Sequence, residues 1–171
     1  MGFTNNQVVW LHNRMEALQT AYGQTVPSSL CYHVPTQEFV FADETYSNQV
    51  ASYTIGSEVQ KAEGADDFGS NRLGVANQNF VAPTYNGEAF LSVLKQFGVD
   101  TVFSGHIHKT NTSIMHEGIR WTFGLKTGTY DSYHAGELGG TQMLIGMDGY
   151  SVKHIYYDTA MQAKMDALRN K

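Results

Sequence analysis

Apolar side chains recur at helical intervals near the start of the chain. Val8, Leu11, Met15 and Leu18 share one face, Ala17 and Ala21 lie beside it, and Gly23 supplies a stop, so the spacing predicts a helix over residues 7–21. The period then shortens. The apolar run at residues 30–34, set between Pro27-Ser28 and Pro35, reads as a strand. Residues 36–85 are the least regular. The mixture of aromatic and polar positions in 39–53 predicts a short helix, and 56–79 is rich in Gly, Asn and Asp. So long a loop is expected to form a lid or rim over a site. Asn86 can cap a helix over 87–97 whose apolar face is Phe90, Leu91, Leu94 and Phe97, with Gly98 closing it. Residues 99–103 then read as a short buried strand. After that the pattern alternates and predicts two hairpins. One joins 112–116 to 119–125 around Glu117-Gly118, the other 140–147 to 150–157 around Asp148-Gly149. A polar helix over 160–168 closes the pattern.

A helix leading into a buried strand predicts an α/β layer arrangement. No internal repeat or linker divides the chain, so residues 1–171 read as one folding unit. That length can bury roughly two thirds of its unfolded surface. Hydrophobic residues at 42% and charged residues at 16% describe a globular rather than a disordered chain. A net charge of -5 with no basic run gives a nucleic-acid groove no electrostatic footing. No apolar run approaches the roughly 20 residues of a membrane span, so no membrane partner is expected. Residues 1–6 are mostly polar, expected to fray, and show no charged-then-apolar leader pattern. Cys31 is the single cysteine, which rules out an internal disulfide framework. Set in an apolar strand, it is expected to be an inert core thiol.

The candidate chemistry gathers where the strand over 99–103 stops. Ser104-Gly105 breaks the run, and His106 and His108 follow, one residue apart. A strand that ends at a glycine delivers the next side chains to the sheet's edge, where ligand sites form. With extended backbone both imidazoles would point the same way, and neutral imidazole is the commonest protein ligand for transition metals. His33 stands at the end of the earlier strand, just before Val34-Pro35. The other histidines read differently. His12 borders an apolar helix stripe, and His116 and His154 fall in outer strands, so structural roles are expected. Asp66-Asp67 reads as a solvated turn, because no spaced acidic loop follows. Lys126, Thr127 and Tyr130 lie in a glycine-rich turn after a strand. Such a turn suits either ordinary turn chemistry or donors for a phosphate. His134 follows in a polar segment within reach of a site rim.

Three stretches carry a resemblance in order. Gly105-His106-Ile107-His108 resembles the last metal motif, G-H-x-H, of the calcineurin-like metallophosphoesterases. Leu30 to Glu38 resembles the strand, histidine and proline of the motif before it. Phe123 to Tyr130 resembles the strand and glycine turn that follow the histidine pair in relatives close to purple acid phosphatases. The resemblance covers residues 7–157. It implies the carboxyl-terminal half of an αββα sandwich of mixed sheets flanked by helices, with two metal ions (Mn, Fe or Zn) at the strand ends. By that resemblance His33 and His106 bind one metal and His108 the other. Two ions roughly 3.5–4 Å apart can hold a bridging hydroxide and clamp a phosphoester for in-line attack.

The family's earlier motifs, D-x-H, G-D and G-N-H followed by an acid, do not occur here in the required order. The resemblance therefore implies a partial domain that lacks the bridging aspartate, the asparagine and the leaving-group acid. No general acid is assigned. Alone it is expected to be inactive and to bind at most one ion, loosely. Its expected partners are the missing amino-terminal half or a second copy of itself. A non-catalytic metal-binding or interaction half-domain is the alternative, as is a metal-free structural domain.

Overall fold

The structure is a computed structural model that describes residues 4–49, 84–85, 88–146 and 149–169. Its first helix, α1 (Asn5–Tyr22), begins where the Gln7 side chain accepts the Thr4 amide at 2.8 Å. It ends at Gly23, which takes φ 67° and donates its amide to the Gln19 carbonyl. This is the left-handed cap that glycine adopts without a Cβ penalty. Val8, Leu11 and Met15 are the buried stripe, as their spacing required.

Among the described residues, four strands build the main sheet. They are β1 (Ser28–Tyr32), β4 (Val99–Ser104), β6 (Ile119–Phe123) and β5 (Ser113–His116), in that spatial order. β1 and β6 both run parallel to β4, while β5 returns antiparallel to β6. The β5–β6 turn consists of Glu117 at φ 54° and Gly118 at φ 80°. Two positive-φ residues match the right-handed twist of the flanking strands. The chain is thus α/β with a mixed sheet, as expected.

One face of the sheet carries the helices. α2 (Glu38–Gln49) supplies Phe39, whose ring lies 5.2 Å from Trp121 and 4.6 Å from Phe123. α3 (Phe90–Gln96) buries Phe90, Val93 and Leu94 in the same cluster. α3 starts later than the sequence suggested, because Glu88–Ala89 form a short strand β3 that pairs with β2 (Thr84–Tyr85). Asn86, the expected cap, lies outside the described residues, as do Asp66-Asp67 and the loop over 56–79.

Strand alternation turns Thr101, Ser113, Arg120 and Thr122 to the other face. They bond one another there: Arg120 donates to the Ser113 hydroxyl at 3.2 Å, and the Ser113 and Thr122 hydroxyls meet at 2.8 Å. The second hairpin, β7 (Gly139–Gly146) with β8 (Gly149–Tyr156), approaches this face, and the Tyr150 phenol donates to the Asp100 carbonyl at 2.8 Å. His154 locks the hairpin down. Its Nε2–H donates to the Asn111 carbonyl at 3.0 Å and its Nδ1 meets the Thr141 hydroxyl at 2.9 Å. Thr141 in turn accepts the Leu125 amide. The structural role expected of His154 is therefore met, as is that of His12, which stacks edge-on against Phe97. The last helix, α4 (Thr159–Arg169), is tied to the loop before β7 by the Tyr133 phenol, which donates to Asp166.

The expected burial of Cys31 is corrected. Leu30 and Tyr32 pack against the core, so alternation sends Ser29 and Cys31 to the opposite face, where both are exposed. No helix among the described residues is long and apolar enough to cross a membrane.

Candidate metal centre

Parallel pairing sets the carboxyl ends of β1, β4 and β6 side by side, the position where open α/β sheets bind ligands. β1 stops at Tyr32 and hands over His33 at the edge. The His33 backbone is pinned to its neighbour, its carbonyl accepting both the Ser104 hydroxyl at 2.9 Å and the Gly105 amide at 3.1 Å. The Gly124 amide donates to the Ser104 carbonyl at 2.9 Å and brings the end of β6 alongside.

The His33 and His106 rings then meet edge to face, centroids 5.3 Å apart and planes at 82°. Both are exposed. Gly105 allows this approach, because a Cβ there would sit 3.2 Å from His33 Nδ1. A side chain at 105 would push against the ring it has to pass.

His106 has φ 69°, and the Ile107 amide reaches back to the Gly105 carbonyl at 2.8 Å. An i to i+2 bond across a positive-φ residue is the rare, strained form of the γ-turn. A non-glycine residue there costs of order 1–3 kcal/mol, and such strain clusters at functional sites. The turn also corrects the expectation that His106 and His108 point the same way, which required extended backbone between them.

His108 turns instead to the loop after the glycine-rich turn. Its Nδ1 lies 3.1 Å from the Ser132 carbonyl and 3.4 Å from Asp131 Oδ2. Asp131 Oδ1 accepts the Ser132 amide at 2.6 Å. Sequence reasoning missed Asp131, since nothing in its spacing to His108 marks the pair. Its φ of 66°, which Asp tolerates better than most residues, is visible only in the fold.

Of the residues in the glycine-rich turn, Lys126 is half-buried and uses its carbonyl to accept the Gly139 amide, while Thr127 is exposed. Tyr130, with Gly128, Thr129 and Asp131, lines a cavity of about 590 Å³ closed on one side by Met165 and Leu168 of α4. The structure thus sets Tyr130 beside the loop that holds His108. His134 Nδ1 lies 3.9 Å from Glu137 Oε1, three residues on. His116, in the β5–β6 hairpin, is half-buried, and burial pushes its pKa down. Below the site, the Tyr32 and Thr36 hydroxyls meet at 2.9 Å, and burial holds the Glu38 carboxyl above its ordinary range.

Comparisons with models of protein families, with curated proteins and with solved structures found no match to this chain.

The donor set fits a borderline transition metal in chemistry: imidazoles at strand ends, two adjacent and one apart. It is incomplete in number. Among the described residues no group of three or more His, Cys, Asp or Glu side chains converges on one point. Either position would need ligands from elsewhere to close its shell.

Proposed function

We propose that this chain is the carboxyl-terminal part of a dinuclear metal phosphoesterase that hydrolyses phosphate esters, with His33, His106 and His108 as its metal ligands. One observation carries the reading. Two imidazoles from neighbouring parallel strands meet at 5.3 Å, one of them on a turn that strains His106. The division of the histidines supports it further. His33 and His106 face each other for one ion, while His108 is turned to Asp131 and left for a second. Bound at those positions, two ions would supply a water nucleophile near neutral pH and offset charge on a phosphate. The chain's own residues would hold and orient: the doubly bonded His33 carbonyl fixes one ligand, and the γ-turn aims the other. Calorimetric titration with zinc and with manganese tests this. The isolated chain should take up one ion per chain, weakly, and His106→Ala should abolish the uptake. Two tight sites, or none, would overturn it.

A second reading, a half-domain that serves to associate, is favoured by particular surfaces. Among the described residues β1 is an edge strand with Cys31 exposed, and the β7–β8 hairpin leaves Leu144 at 59% and Ile145 at 77% exposed. Bare strand edges and apolar patches drive association. The two readings meet if the partner is the missing amino-terminal half. Light scattering and an aryl phosphatase assay, with and without that half supplied as a separate polypeptide, separate them. The enzyme reading expects turnover only in the mixture, whereas association without turnover leaves the interaction reading.

A further inference from the structure

We infer that Asp131 and Ser132 decide which nitrogen of His108 is offered to a metal, and that this nitrogen is Nε2. The inference rests on the reading of His108 as a ligand. A backbone carbonyl can only accept, so His108 Nδ1, 3.1 Å from the Ser132 oxygen, carries the ring's hydrogen. A neutral imidazole has one such hydrogen, so Nε2 keeps its lone pair for coordination. Asp131 acts through two oxygens. Oδ1 holds the Ser132 amide at 2.6 Å and fixes the residue whose carbonyl faces the ring, while Oδ2, 3.4 Å from Nδ1, favours a hydrogen at that nitrogen. A free histidine side chain prefers its hydrogen on Nε2, so the loop reverses the intrinsic choice. Carboxylate and carbonyl partners of this kind orient metal-bound histidines and raise their basicity. Asp131 is thus a positioning residue. Its backbone is left-handed, φ 66°.

Long-range proton–nitrogen correlation spectra of the metal-free, nitrogen-15-labelled chain test this, at a pH where imidazoles are neutral and with His108 assigned through His108→Gln. Wild type should show His108 with its hydrogen on Nδ1. Asp131→Gly, which takes positive φ freely and removes the carboxylate, should shift the ring towards the Nε2–H form. Asp131→Asn, which can still accept the Ser132 amide, should keep it. A wild-type ring with its hydrogen on Nε2 overturns the inference, whether or not any variant folds. So does an Nδ1–H form that persists in a folded Asp131→Gly. Tautomers as expected with no shift of the His33 or His106 ring on adding zinc would leave the loop's control of His108 standing and overturn the metal reading instead.

Discussion

His154 should make this fold acid-sensitive by an amount that can be worked out. Its ring is buried, and burial pushes its pKa down from the ordinary 6.5 to about 4. Both nitrogens are committed to a neutral arrangement, Nε2–H donating to the Asn111 carbonyl and Nδ1 facing the Thr141 hydroxyl. In the unfolded chain the ring takes up a proton as the pH falls through 6.5, whereas in the native state it resists until about 4. Across that window the unfolded state binds more protons, so stability falls as the pH falls. For a shift of that size the loss between pH 7 and pH 4 is about 3 kcal/mol. Glu38, whose folded pKa is raised by burial, contributes in the opposite sense, its stabilisation being present at low pH and lost as pH rises through its folded value. The comparison that isolates His154 is therefore wild type against His154→Gln. The variant loses two hydrogen bonds at every pH, a cost of about 1–3 kcal/mol, but has no ring to titrate. Urea unfolding, followed through the emission of the fully buried Trp121, gives stability at each pH. The two curves should be separated at pH 7 and converge as the pH drops to 4. Curves that run parallel from pH 7 to 4 would refute the reasoning.

Other expectations follow from the site. His106→Gly should raise stability by about 1 kcal/mol in urea unfolding by relaxing the γ-turn, yet eliminate zinc uptake; a loss of stability would mean the turn is not strained. Gly105→Ala should weaken zinc binding measured by calorimetry while leaving the circular dichroism spectrum unchanged, because the new Cβ meets the His33 ring first. His116→Ala, in the hairpin turned away from the strand ends, should leave zinc binding within twofold of wild type. An aryl phosphate incubated with the isolated chain and manganese should show no turnover above background; turnover abolished by His106→Ala would show that the site assembles without a missing half.

Much of the layout was legible because local pattern and tertiary burial agree. The stripe of Val8, Leu11 and Met15 specifies a one-sided helix, and Glu117-Gly118 specifies a two-residue hairpin turn, whatever surrounds them. The position of His33 and His106 at strand ends was also legible, since proline and glycine stop their strands. The burial of Cys31 was misread because a short apolar run does not reveal whether one face or two is covered. The direction of His106 was hidden because it depends on hydrogen bonds that the Gly105 backbone makes with its neighbours in space. The pairing of His108 with Asp131 was hidden for a related reason: no periodicity links two loops that meet only after the sheet has formed.

The joining of His33 to the end of β4 has a topological consequence. The two residues are connected through a long stretch of chain that contains α2 and α3, so their meeting closes a large loop. An ion shared by the two rings would act as a removable cross-link across that loop, confining the unfolded chain much as a disulfide does but under the control of a chelator. The entropy of such a closure grows only with the logarithm of loop length, about 0.6 kcal/mol per doubling. The intervening stretch can therefore lengthen or shorten at small thermodynamic cost, while the clasp at its ends stays the same. Stripping such an ion should speed unfolding most where β1 leaves the sheet, a strand whose one partner among the described residues is β4.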